Sequence, residues 1–212
     1  MMSRILIHPT YFPDIISFAH LAQYEVVWEV QDHYQKQTYR NRTYIATDQG
    51  RQMLNIPIKH VGGSQGRQDY RAVKLENSYP WQRQHWRGLQ TAYRTSPFFE
   101  FYEDDLLPLF EKEFTYLMDL NLETTRVLCD CLQLDFPEEK TTRWEAAPGG
   151  IIDSRKLVNA KAAFPVEIPE YRQVFMERHG FIQNLSTLDL LFNLGPEAPS
   201  YLDELKLSHR DA

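Results

Sequence analysis

At 212 residues, with 42% hydrophobic and 13% aromatic side chains, the chain has the length and apolar content to bury a sizeable core in one domain spanning 1–212, which excludes a disordered or low-complexity protein. A formal charge of −6 argues against a general polyanion binder, and no window approaches the roughly 18 apolar residues of a membrane span. The charge is uneven: residues 31–94 hold 11 Lys and Arg against 4 Asp and Glu, whereas residues 95–140 hold 3 against 12. The first stretch reads either as a surface that receives something anionic or as the electrostatic partner of the second.

The N-terminus, MMSRILIHPTYFP, lacks the apolar run of a secretory signal. Cys129 and Cys131 lie two apart in a helical stretch, where they face different sides, so a reduced, cytoplasmic protein is expected. RILIH (4–8) and EVVWEV (25–30) read as strands, and Phe18, Leu21 and Ala22 recur at helical spacing between them, behind Pro13. A parallel return makes this a βαβ unit, and ligands of such sheets bind beyond the carboxyl ends of the strands. The first strand empties into His8-Pro9-Thr10-Tyr11 and the second into Gln31-Asp32-His33-Tyr34, so the two loops should share one crevice.

The second loop continues as HYQKQTYRNR (33–42), ten residues without an aliphatic side chain. TYIAT (43–47) and MLNIPI (53–58) flank Asp48-Gln49-Gly50 as an antiparallel hairpin, and YRAVKLE (70–76) alternates like a further strand. If YRNR enters a strand, the period of two puts Arg40 and Arg42 on one face, pointing together into the crevice or together out of it. No Gly-x-Gly-x-x-Gly follows the first strand, so no dinucleotide is expected. VGGSQGRQ (61–68) could cradle a phosphate, but it lacks the Lys-Ser/Thr ending of a P-loop. The fold class expected is α/β: a βαβ unit and hairpin in a small mixed sheet over about 1–76, covered by a mainly helical part over about 77–212.

From Pro80 the pattern is helical, with Asn77 or Ser78 as cap and Pro80 in the first turn. Trp81, His85, Leu89 and Ala92 share its apolar face, where His85 reads as a hydrogen-bonded core residue. Arg83, Arg87, Gln90 and Arg94 line the opposite face and can bind an anion or the acidic helices that follow. Residues 98–136 read as two helices, with Asp105 capping the second and Pro108 in its first turn. Residues 141–172 give little regular signal, and the proline-bounded AFPVEIPEY reads as an extended connection. NLSTLDLLFNLGP closes the chain's readable part as a short helix capped by Asn184 or Ser186 and stopped by Gly195-Pro196.

Nucleophilic catalysis has no support, since both cysteines are helical and no Gly-x-Ser-x-Gly elbow exists; the scattered histidines form no metal-ligand pair, so neither metal nor cofactor is expected. What remains is a cationic, polar crevice. His8 and His33 are its candidate general bases, and Tyr11, Tyr34, Lys36, Arg40, Asn41 and Arg42 its candidate substrate-binding residues. The partner they imply is a small anionic, phosphate- or carboxylate-bearing substrate, taken either for transfer chemistry or for binding alone. Single-stranded nucleic acid is disfavoured by a pI near 5.7.

The HPTYFP turn, YQKQTYRNR, PWQRQHWRGLQTAYRTSPFFEFYEDDL and GFIQNLSTLDLLFNLGPEA together resemble the WbqC-like protein family of bacteria, over most of the chain from about Ile5 to Ala198. Members are largely uncharacterised. Some belong with O-antigen biosynthesis, so the resemblance implies a transferase of surface polysaccharide assembly, with aminoacyl or sugar-modifying transfer. Where the family usually carries Gln-Pro this chain has His8-Pro9, so the candidacy of His8 comes from the residues and not from the resemblance.

Overall fold

A computed structural model describes residues 3–59 and 67–207. The aliphatic run forms β1 (Arg4–Ile7), and Asp14 then starts α1 (Ile15–Gln23) by accepting the Ser17 amide at 3.2 Å. The helix buries Ile15, Phe18, Ala19 and Leu21 before the chain returns as β2 (Glu25–Trp28), parallel to β1 with Ile5 opposite Val26. β1 is central, because β5 (Ile152–Asp153) pairs with its other edge, also parallel, with Leu6 opposite Asp153.

The hairpin is β3 (Arg42–Thr47) and β4 (Gly50–Asn55), closed by the Thr47 and Gly50 pair with Gly50 at φ 92°, a left-handed value that glycine adopts without a Cβ clash. The class is α/β, with the strands in two small sheets. Side-chain and loop groups occupy the outer edge of β3: the Tyr44 carbonyl accepts the Ser186 amide at 2.8 Å, and the Ala46 amide reaches the Tyr93 hydroxyl at 3.1 Å.

Residues 70–76 are not the strand their alternation suggests. Tyr70–Ala72 is a 3-10 turn, followed only by single bridges from Lys74 to Tyr116 and from Leu75 to Ile58. The bend buries Tyr70 completely, with its hydroxyl donating to the Pro9 carbonyl at 2.7 Å, and that tertiary bond outweighs local propensity. Helix α2 (Trp81–Tyr93) has Pro80 just ahead of it and buries Trp81, His85, Leu89, Ala92 and Tyr93. On its other face Arg83, Arg87 and Arg94 are exposed and make no ion pair among the described residues, so the expected pairing with the acidic helices is absent there.

The next block contains three helices rather than two: α3 (Phe99–Leu106), α4 (Pro108–Glu111) and α5 (Leu117–Cys131). Asp105 lies inside α3, and Leu107 rather than Asp105 precedes α4, because Pro108 has no N–H with which to continue the earlier helix. After β5, α6 (Met176–His179) is a single turn. Ser186 caps α7 (Thr187–Leu194) through the Leu188 amide at 3.3 Å, and α8 (Ala198–Glu204) packs on α1. Gly195 ends α7 at φ 53°, and a Cβ there would lie 2.6 Å from the Phe98 ring. Buried residues from Ile5 to Leu205 form one hydrophobic cluster, and no helix among the described residues is long and apolar enough to cross a membrane.

Candidate functional site: a cationic cavity at the carboxyl ends of the parallel strands

The three parallel strands end side by side, and each delivers a polar residue into the same region: His8 after β1, Asp32 beyond β2 and Arg155 after β5. A cavity of about 520 Å³ opens there. Residues 32–40 form a second wall, tied down at both ends. The Tyr70 amide donates to Asp32 O at 3.0 Å, the Tyr34 amide to Gln68 O at 2.8 Å, the Tyr39 amide to Val158 O at 2.9 Å, and Asn121 Nδ2 to Arg40 O at 2.7 Å. Backbone hydrogen bonds thus replace the missing aliphatic contacts.

Asp32 is the hub. Its Oδ2 accepts from His8 Nε2 at 2.9 Å and from Arg40 Nη2 at 3.1 Å, and its Oδ1 accepts the His33 amide at 2.7 Å. Burial pushes its pKa up, but the His8 hydrogen bond, the His33 amide and the nearby Arg40 charge together bring it down to about 2. An ionised Asp32 requires the proton on His8 Nε2. His8 Nδ1 then faces the Arg155 carbonyl at 3.3 Å, and burial, with the Arg40 charge, lowers the His8 pKa to about 4 against the pull of Asp32.

Two of the three arginines that line this cavity are already committed. Arg155 uses all five of its N–H groups: Nε and Nη2 clasp Asp153 at 2.8 and 2.5 Å, Nη1 meets the Glu145 carbonyl at 2.9 Å and Glu29 at 3.3 Å, and Nη2 also reaches the Ala146 carbonyl at 3.3 Å. It fastens the 144–146 loop, bringing Trp144 to the cavity rim with 51% of its surface exposed. Arg40 is wholly buried, held by Asp32 and lying 5.1 Å from the centroid of the Tyr70 ring. The free charge comes from elsewhere. Lys36, Arg67, Lys156 and Lys161 line the cavity, are exposed, and have no ion-pair partner among the described residues, where Asp32 is the one lining carboxylate.

The remaining candidates fall outside this cavity. Tyr11 lies in the core, its hydroxyl donating to His85 Nδ1 at 2.9 Å. Burial lowers the His85 pKa to about 4, the state of a neutral core imidazole. His33 is half-exposed with Nδ1 3.3 Å from Asp69 and lines neither this cavity nor its neighbour. Tyr34, Asn41 and Arg42 line a separate pocket of about 410 Å³ on the other side of the Lys36-Gln37 turn. The expected shared face for Arg40 and Arg42 does not form, since the strand begins only at Arg42. The glycine-rich loop lies outside the described residues except for Arg67 and Gln68.

The residues supplied by 141–161 were missing from the sequence expectations. A two-residue strand carries no readable period, and the only local hint is an aliphatic pair, Ile151-Ile152, followed after Asp153-Ser154 by the basic pair Arg155-Lys156. The arrangement can hold several phosphate or carboxylate oxygens on exposed lysines, stack a ring on Trp144, and present one fixed carboxylate.

The fold and cavity define an α/β protein with a cationic site at the ends of its parallel strands. The chain belongs to the WbqC-like protein family, whose pattern it matches over residues 8–164. It is 29% identical over 198 residues to the uncharacterized protein Rv1507c of Mycobacterium tuberculosis, an alignment covering 80% of this chain and 83% of that one. No solved structure matches it.

Proposed function

We propose that the cavity binds the phosphate- or carboxylate-bearing end of a small activated substrate, and that the protein is a transferase acting in bacterial surface polysaccharide assembly. One observation carries the binding: four cations without an ion-pair partner among the described residues, Lys36, Arg67, Lys156 and Lys161, converge where the parallel strands end. In this reading the lysines neutralise the anionic group and stabilise charge that develops on it as it leaves, while Trp144 carries a sugar or base ring. Arg40 and His8 fix the Asp32 carboxylate toward the substrate. The transferase role rests on the family resemblance.

A second reading, binding without turnover, is favoured by the state of His8. One ring nitrogen donates to Asp32 and the other faces a carbonyl, so neither is offered to an acceptor as a base.

The test is calorimetric titration with inorganic pyrophosphate, sugar phosphates and nucleotide sugars, followed by NMR assay of any binder for turnover with amine and hydroxyl acceptors. Binding that Lys156→Ala weakens, with turnover, supports the transferase. Binding without turnover selects the second reading, and no binding across the panel removes both.

A further inference from the structure

The pocket across the Lys36-Gln37 turn differs in chemistry from the cavity beside it. Lys36 and Gln37 belong to both walls, but here the charges nearly balance, with Lys36 and Arg42 against Glu76. Tyr34 and Tyr79 line it, and Tyr79 leaves 63% of its surface exposed, one of four large apolar or aromatic side chains so exposed among the described residues. Trp144 at the first cavity is another.

Two buried atoms of residues that line this pocket have no hydrogen-bond partner among the described residues. Asn41 is 6% exposed and lines the pocket. Its Nδ2 donates to the Ile56 carbonyl at 3.1 Å and to Asn55 Oδ1 at 3.2 Å. A carbonyl can only accept, so the orientation of the amide is fixed, and Asn41 Oδ1 is left as an unused acceptor. Arg42 Nε is an unused donor in the same wall. Unpaired buried groups of this kind are rare and costly, and both belong to residues that line a pocket large enough for a small molecule. A carboxylate or phosphodiester group offers nothing to Asn41 Oδ1, and an ammonium group offers nothing to Arg42 and is repelled by Lys36. A hydroxyl donates to the first and accepts from the second. Aromatic rings beside hydroxyl-binding amides also suit the alternating C–H and O–H surface of a sugar ring.

We infer that this second pocket binds an uncharged, hydroxyl-rich ligand, a sugar ring, and that it is the acceptor subsite adjoining the anionic cavity. The acceptor role rests on the transferase reading; the sugar site itself does not. Lys36, shared by both walls, sits where the two ligands meet.

The test uses the full chain and two probes: inorganic pyrophosphate for the cavity, and the methyl glycosides of glucose, galactose, mannose and N-acetylglucosamine for the pocket, observed by saturation-transfer NMR. At least one glycoside is expected to bind, and Tyr79→Ala and Arg42→Gln to weaken it tenfold or more while leaving pyrophosphate affinity within twofold. Tyr79 is exposed, so its removal spares the fold. Lys156→Ala is expected to do the reverse. No glycoside binding overturns the sugar site, as does glycoside binding that Trp144→Ala abolishes and Tyr79→Ala leaves intact. Glycoside binding lost in Tyr79→Ala, with no pyrophosphate binding in the wild type, keeps the sugar site and removes the anionic reading instead.

Discussion

Removing the Arg40 guanidinium should cost less than removing its carboxylate partner, and the geometry gives the reason. Asp32 keeps two donors when Arg40 becomes Met, namely His8 Nε2 and the His33 amide, and it retains some access to solvent. Arg40 also carries two buried donors, Nε and Nη1, that find no acceptor among the described residues, so their removal offsets part of the loss. Breaking a buried pair costs about 3–5 kcal/mol when the survivor is stranded, and with these discounts Arg40→Met should cost about 2 kcal/mol. Asp32→Asn strands a buried guanidinium that has no other anion in contact among the described residues, and should cost the full amount of about 3–5 kcal/mol. At this chain length about 2 kcal/mol lowers Tm by roughly 4–8 °C. The assay is urea unfolding of the wild type, both single variants and the double variant. The cycle should give a coupling of about 2 kcal/mol, so that adding Arg40→Met to Asp32→Asn costs nothing further. Additive losses, or Arg40→Met falling below Asp32→Asn, would refute the reasoning.

Lys156→Ala and Lys36→Ala should change stability by less than about 0.5 kcal/mol, since both side chains are exposed and unpaired among the described residues, yet weaken pyrophosphate binding roughly tenfold each in low salt. Calorimetry beside thermal unfolding checks both halves. The His85 pKa is lowered from 6.5 to about 4, so the unfolded state binds its proton first as pH falls. His85 therefore contributes stability in full above pH 6.5 and loses it between 6.5 and 4. The gap in unfolding free energy between the wild type and His85→Gln should shrink by about 3 kcal/mol over that window. A pH-independent gap contradicts a neutral core imidazole. Gly195→Ala should destabilise by about 3 kcal/mol through its positive φ and the Phe98 ring, and a loss under about 1 kcal/mol in urea unfolding would mean that the ring moves aside.

Period and punctuation were legible along the chain wherever an element was long enough to show them. The βαβ opening, the hairpin about Asp48-Gln49, the apolar face of α2 and the stop at Gly195 each follow from local residue order. Tyr70 shows the limit, because its run alternates like a strand, yet a hydroxyl contact with Pro9, 61 positions away, decides the backbone. Arg40 shows it again at the site. A polar decapeptide rich in arginine says that charge gathers there, but not that Asp32 and the Tyr70 ring take Arg40 while Arg42 turns into another pocket.

The sequence by itself determined that the first two strands run parallel into polar loops and that cationic residues cluster beyond them, because strand period, chain length and turn residues are local properties. Only the tertiary structure decided which cations remain free. That required β5, two residues long, to bring Arg155 and Lys156 beside His8 from 147 and 148 positions away, with Arg155 satisfying Glu29 and Asp153. Pairing among charges depends on distances of a few ångströms between segments far apart in the chain, and no local pattern encodes them.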